Sequence, residues 1–179
     1  ITSSLVAQTE QRSGWVWINY LGASESFNSM LYINLENEDD IKTHNADWDG
    51  KSFTNSAYYA IKLEKWKNNR AKGLEWVHHK IYLASDVEGI DSYSISDGFN
   101  MLFFNVVNPI KRFGKNAYMR LGAGLVFGHM DVHLTGRDRF YMDGGIRGSY
   151  LCGVAAQIAV DKWIKTTEKH FLTLETKFT

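Results

Sequence analysis

The sequence predicts an all-β protein, an up-and-down antiparallel β-barrel of eight strands, seven of which can be read directly. Three observations predict it. Apolar residues recur with period two through most of the chain, and no stretch keeps the 3.6-residue stripe of an amphipathic helix. The links between the alternating stretches are short at one set of positions and long at the other. The aromatic load of six Trp, nine Tyr and ten Phe gathers toward the ends of those stretches.

The elements follow in order. A first strand spans 15–22, and a second begins at Ala57, where Ala57, Tyr59, Ile61 and Leu63 oppose Tyr58, Ala60, Lys62 and Glu64. Strands also fit 74–83 and 93–107. From 117 to 127 one face reads Ala117, Met119, Leu121, Ala123, Leu125, Phe127 and the other Tyr118, Arg120, Gly122, Gly124, Val126. The segment from Tyr150 repeats this with Val154, Ile158 and Val160 against Gly153, Gln157 and Asp161. The last strand sets Leu172 and Leu174 against Thr173, Glu175 and Lys177. Short polar links occupy 67–73, 109–116 and 165–169, while 23–56, 84–92 and 134–147 are longer. Short turns at one end and long loops at the other are the pattern of an outer-membrane barrel. The whole of 1–179 reads as a single barrel domain, with 23–56 as its long external loop.

Alternation alone does not say which face is outside, because a soluble lipocalin-type barrel alternates too. The polar faces carry Lys62, Glu64, Arg120, Asp161, Glu175 and Lys177 near mid-strand, mixed with glycines. A narrow eight-stranded interior can be filled by such charges pairing with one another. Aromatics at strand ends, Trp15, Trp17, Tyr58, Tyr59, Trp66, Tyr82, Tyr118 and Trp163, match interfacial girdles. These features favour the membrane barrel. Bacterial single-chain barrels have even strand numbers, so an eighth strand is expected, either within 27–35 or beyond Thr179. The length of the first loop favours the second place. A start at Ile1 rather than Met fits a processed chain.

Composition excludes several classes. Twenty Lys plus Arg balance twenty Asp plus Glu, which gives no electrostatic case for nucleic-acid binding. No run of eighteen apolar residues marks a transmembrane helix. The single Cys152 excludes a disulfide framework and a cysteine-based zinc module.

Four stretches, DWDGKSF at 47–53, GLEWVHHKIYL at 73–83, SISDGFN at 94–100 and RLGAGLVFGH at 120–129, carry a resemblance to a known family. With Tyr58-Tyr59 at a strand start, the chain resembles small Gram-negative outer-membrane β-barrel proteins, some described as lipid A oxidases. The resemblance implies an eight-stranded barrel, a place in the bacterial outer membrane and a connection with lipid A. It transfers no catalytic residue to a position here.

With the long loops outside the cell, His78, His79, Lys80, Ser96, Asp97, His129, Asp131 and His133 fall in the outer half of the molecule. His129, Asp131 and His133 would share one face of a strand, neighbours about 6.6 Å apart. Two imidazoles and a carboxylate suit a divalent metal, though a flat strand spreads the outer pair too far for one ion. His78 and His79 must face opposite ways, one with Trp76, Lys80 and Tyr82 and the other with Val77, Ile81 and Leu83. Either could carry a proton near neutral pH or belong to an internal hydrogen-bond network. Ser96 beside His78 on the next strand, with Asp97, invites a deacylase reading that no GxSxG elbow supports. The acidic run Glu36, Glu38, Asp39, Asp40, Asp47 and Asp49 is either a cation-bridging loop or a solvated one. The expectation is a barrel whose outer half contacts lipid A or lipopolysaccharide. The alternatives are a lipid A-modifying enzyme, oxidase or deacylase, and a structural barrel that docks with envelope proteins.

Overall fold

A computed structural model describes residues 12–35, 39–52, 58–138, 140–141, 149–167 and 169–179, the side chains of Ser96, Asp97 and Tyr141 excepted. The expectations resting on Glu36, Glu38, Ala57 and 142–147 therefore lie outside the described residues, as do the side-chain roles expected of Ser96 and Asp97.

The described residues form twelve strands: β1 Gly14–Leu21, β2 Ser29–Ile33, β3 Ile41–Ala46, β4 Trp48–Asp49, β5 Tyr59–Lys67, β6 Arg70–Leu83, β7 Ile90–Pro109, β8 Ala117–Gly128, β9 Asp131–Leu134, β10 Phe140–Tyr141, β11 Tyr150–Lys165 and β12 Phe171–Phe178. Among the described residues no α-helix occurs, only a 3₁₀ turn at Lys111–Phe113. Among the described residues no helix is long and apolar enough to cross a membrane.

The main sheet is antiparallel in the order β1-β5-β6-β7-β8-β11-β12 and curls into a half-barrel that is not closed. The seven strands of this path are the seven that the alternation predicts, and β4, β9 and β10 join the same sheet off the path. The expected loop 23–56 carries short strands of its own. β2 and β3 form a separate two-stranded sheet, and β4 pairs with the end of β6 through Trp48 opposite Leu83. Segment 27–35 thus holds a strand, but one that pairs within its own hairpin rather than between β1 and β12.

The short turns behave as their residues require. Lys67 faces Arg70 across a two-residue turn in which Asn68 and Asn69 take φ of 52° and 61°. Both central residues in the left-handed region define a type I′ hairpin, whose twist matches the flanking strands. Asn tolerates that region better than any residue but Gly. β6 consequently begins at Arg70, four residues before the expected start.

The curl lets side chains of β12 reach those of β5 and β6 across the concave face. At the short-turn end Trp66, Tyr118 and Trp163 meet edge to face, with Trp66 and Trp163 centroids 5.3 Å apart. The Arg12 guanidinium lies 3.7 Å from the Trp163 ring centroid, a cation–π contact that completes the plug. Above it Arg120, wholly buried, pairs with Glu64 and with Asp161 at 3.1 Å, and its Nε lies 3.4 Å from Glu175. The next layer holds Lys62 with Glu175 and Glu75, and Lys177 with Glu75. Gln157 and Asn105 each donate to Glu75 at 2.7 Å. The lumen is so full that a Cβ on Gly73 would collide with the Leu63 carbonyl, and one on Gly122 with the Asn105 amide oxygen.

The convex face is the reverse. Leu121, Leu125, Val154, Ile158, Leu172 and Leu174 are exposed there, Val154 by 83%. They are the same positions whose alternation set them opposite Arg120, Gln157, Asp161 and Glu175. A globular domain in water buries its apolar face, so this inside-out arrangement is the chief physical fact about the fold.

Candidate polar site on the convex rim

The site begins where the pleat breaks. From Ala71 to His79 β6 pairs with β7 residue for residue, ending at His79 opposite Phe99. The next pair is Ile81 opposite Ile95, so Lys80 on one strand faces Ser96, Asp97 and Gly98 on the other. Gly98 takes φ 134°, a conformation that side chains avoid. β8 stops at Gly128 directly beyond the Asn100–Phe127 pair, and β9 resumes at Asp131 opposite Ser94. β11 slips as well, between Leu151 and Gly153. Four neighbouring strands therefore lose register at one level, and bulges of this kind re-aim side chains.

Polar residues become buried at that level. His78, His79, Lys80, Asn100, His129 and Asp131 are all buried. Alternation along β6 puts Leu74, Trp76 and His78 on the convex face, with Glu75, Val77 and His79 on the concave one. His78 lies opposite both Tyr59 and Asn100. Its ring stacks on Tyr59 at 4.9 Å with 20° between planes, and its Nδ1 is 2.9 Å from Asn100 Oδ1. Its Nε2 is buried and has no hydrogen-bond partner. Lys80 follows His78 on β6 by two residues, and its ammonium lies 5.8 Å from the Tyr82 ring centroid, with Lys51 at 4.2 Å from the same ring. Asp131 shares a register row with Ser94 and Tyr82. Directly below this patch the convex face is apolar, with Trp76 stacked on Phe127 at 6.4 Å.

His79 goes inward to a different task. Ser24 Oγ lies 2.9 Å from its Nδ1 and Ser26 Oγ 3.3 Å from its Nε2. Ser52 Oγ accepts from the Ser24 amide at 2.9 Å and donates to the Ser24 carbonyl at 3.1 Å. Gly50 packs so closely that a Cβ there would lie 3.1 Å from His79 Cε1 and from Ser24 Oγ. These contacts clamp the two ends of the long loop onto β6. They border a cavity of about 920 Å³ that is lined also by Leu21, Trp48, Phe99, Met101 and Phe178.

The expected site residues divide accordingly. His78, His79, His129 and Asp131 come to one level, together with the backbone of Ser96 and Asp97. His133 stands higher, half exposed, with Nδ1 3.6 Å from Asp91. Among the described residues no three His, Cys, Asp or Glu side chains converge as a metal set. The acidic loop spends its carboxylates locally. Asp49 accepts from the Lys51 amide at 2.7 Å, and Asp47 from the Trp48 amide at 3.0 Å. Asp40 accepts from Asn34 and from the Tyr32 hydroxyl, which holds its carboxyl below the usual range and raises the phenol. Among the described side chains, the serines that meet a histidine are Ser24 and Ser26, on His79. The sequence reading also missed Tyr59 and Asn100 as partners of His78. The run SISDGFN, polar residues around a glycine inside a strand, was the available signal of a bulge.

These features define a class: an antiparallel β-sheet protein with charges inside, hydrocarbon outside and a polar patch at one level of its outer surface. No family model, no curated protein and no solved structure matches the chain.

Proposed function

We propose that the chain is a bacterial outer-membrane β-barrel whose polar rim contacts the headgroup of lipid A or lipopolysaccharide. One further strand between β1 and β12 would give the even number of a closed barrel, since unpaired strand edges do not persist in hydrocarbon. The observation that carries the reading is the inverted solvation of the sheet, with buried polar groups returning to the convex face only where the pleat breaks. An apolar band needs lipid tails around it, and His78, Lys80, Asn100, His129 and Asp131 sit at its edge, at headgroup level. With the long loops outward, that edge meets the lipopolysaccharide leaflet. Phosphates and sugar hydroxyls are the groups that such side chains recognise.

The test is outer-membrane fractionation of a Gram-negative host making the chain, followed by mass spectrometry of its lipid A. Outer-membrane residence with co-purifying lipid A supports the reading, and recovery in the soluble fraction refutes it. A mass gain of one oxygen would identify an oxidase, and loss of an acyl chain a deacylase. Unchanged lipid A in a correctly placed barrel would favour a structural role with envelope partners.

A further inference from the structure

We infer that the upper lumen holds one acyl chain of a surrounding membrane lipid, which enters between β1 and β12. The inference rests on the proposed function, since only a barrel set in a bilayer has such chains beside it. It adds a ligand and a place that the polar rim does not include. The concave face changes its chemistry along the strands. Its lower part is the ion network of Lys62, Glu64, Glu75, Arg120 and Lys177. Beyond that network the same face turns apolar, where Ala60, Val77, Met101, Phe103 and Val126 form one buried cluster with Phe99 packed against it. A polar interior is the rule for outer-membrane barrels, so an apolar layer marks an occupant other than water. Ala60, Phe99 and Met101 line the cavity of about 920 Å³ rather than filling it. That volume falls within the range of about 300–1,000 Å³ typical of ligand sites. Cavities with apolar walls stay dry and accept apolar guests. The polar groups at the margin are already engaged, His79 with Ser24 and Ser26, and Lys177 with Glu75 and Glu175.

The cavity also reaches the outside. β1 and β12 are the two ends of the sheet path. Leu21 on one and Leu174 and Phe178 on the other are exposed on the convex face, yet all three line the same cavity as Phe99 and Met101. A single space therefore touches both faces of the sheet through the gap between its end strands. Phe27, from the loop that follows β1, meets Phe178 at 5.9 Å between ring centroids and so spans that gap beside the opening. Leucines stand at the outside of this route, and Ala60, Phe99 and Met101 within. An acyl chain is apolar, narrow and flexible, needs no hydrogen-bond partner inside, and leaves its headgroup in the leaflet. The inference requires a strand that closes the barrel to leave this opening at the end of β1.

The experiment uses the chain in lipid nanodiscs, deuterated except for ¹³C-labelled methionine methyls, with Met101 and Met119 assigned through Met101→Leu and Met119→Leu. Nuclear Overhauser contacts with lipid-chain protons arise only between groups that touch. Met119, on the convex face with Leu121, should show them whatever the lumen holds, and Met101 should show them as well. Ala60→Phe puts a ring into the cavity and should remove the contacts of Met101 while leaving those of Met119. Nanodiscs of phosphatidylcholine alone and with lipid A added separate the sources. Contacts in both identify any acyl chain, contacts only in the second identify a chain of lipid A, and either supports the inference. Met101 in contact with water would overturn it. So would Met101 touching neither water nor lipid, the result expected if side chains of a closing strand fill the cavity. Contacts undiminished in a refolded Ala60→Phe would overturn it too; should that variant fail to refold, the unsubstituted chain decides alone. Met119 without lipid contacts would overturn the proposed function instead, because the convex face would then lie outside the bilayer.

Discussion

Replacing Arg120 by Met tests whether the lumen is a paired ion network. Arg120 is wholly buried and faces Glu64, Asp161 and Glu175. Three cations, Lys62, Arg120 and Lys177, there oppose four carboxylates, Glu64, Glu75, Asp161 and Glu175. Methionine fills similar volume but leaves two cations against four, with Glu64 and Asp161 each keeping only an indole N–H donor, from Trp66 and Trp163. Removing one member of a buried pair costs about 3–5 kcal/mol, because the surviving charge is desolvated without compensation. Arg120→Lys keeps the charge but not the fork that reaches two carboxylates at once, and should cost about 1–3 kcal/mol. The assay is urea unfolding of the chain refolded into lipid vesicles, followed by tryptophan fluorescence. Should Arg120→Met fail to refold, Arg120→Met with Glu64→Gln should recover part of the loss by removing one of the stranded charges. A loss below about 1 kcal/mol for Arg120→Met would refute the paired-lumen argument.

Other outcomes follow from the same structure. Val154→Arg should cost about 2–4 kcal/mol in lipid if the position lies near the bilayer midplane; in a water-soluble sheet the same exposed site would tolerate it within about 0.5 kcal/mol. Gly73→Ala should block refolding or destabilise strongly, because its methyl meets the backbone of Leu63 and Glu64, and thermal unfolding reads this out. The plug of Trp66, Trp163 and Arg12 should leave planar bilayers containing the barrel without conductance steps. Asp40, its carboxyl lowered by the Tyr32 hydroxyl, should stabilise the β2–β3 hairpin above the ordinary carboxylate range. That contribution should fade as pH falls through the lowered value, in an NMR titration that Tyr32→Phe abolishes.

What could be read in the sequence was whatever depends on period two alone. Leu121 against Arg120, or Leu174 against Glu175, declares its face without knowledge of any neighbour, so the strands and their sidedness were legible. Which charges meet was only partly so. Strand order puts Asp161 and Glu175 near Arg120 and Glu64 across the lumen, and only the tight curl of the sheet brings Glu64 into contact. The hairpin within 23–56 was hidden because Ser29–Ile33 is too short to alternate convincingly. The Ser24–His79 contact joins residues 55 apart through a loop whose path no local rule dictates.

The least legible feature is also the one that makes the rim. The bulge of β7 is invisible to a pattern reading, because it adds two residues opposite Lys80 and the alternation resumes in phase on the far side. Yet each slip changes what alternation means locally. In an unbroken pleat every second residue of β6, β7 and β8 would join the apolar convex face, and a polar one there would lack polar neighbours. Losing register at Lys80, at Ser96 to Gly98 and at His129 to Met130 lets neighbouring strands offer polar side chains to one another instead. His78 and Asn100 lie directly opposite each other in the last regular pairs below the break, hydrogen-bonded and both buried on the outer surface. Straightening the bulge should therefore remove the site without removing the barrel. Deleting Ser96 and Asp97 together would leave Gly98 alone opposite Lys80 and keep the sidedness of β7 intact. The shortened chain should still refold and show heat-shifted migration on a gel, yet no longer retain lipid A. Retention undiminished by the deletion would mean that the rim owes nothing to the break in the pleat.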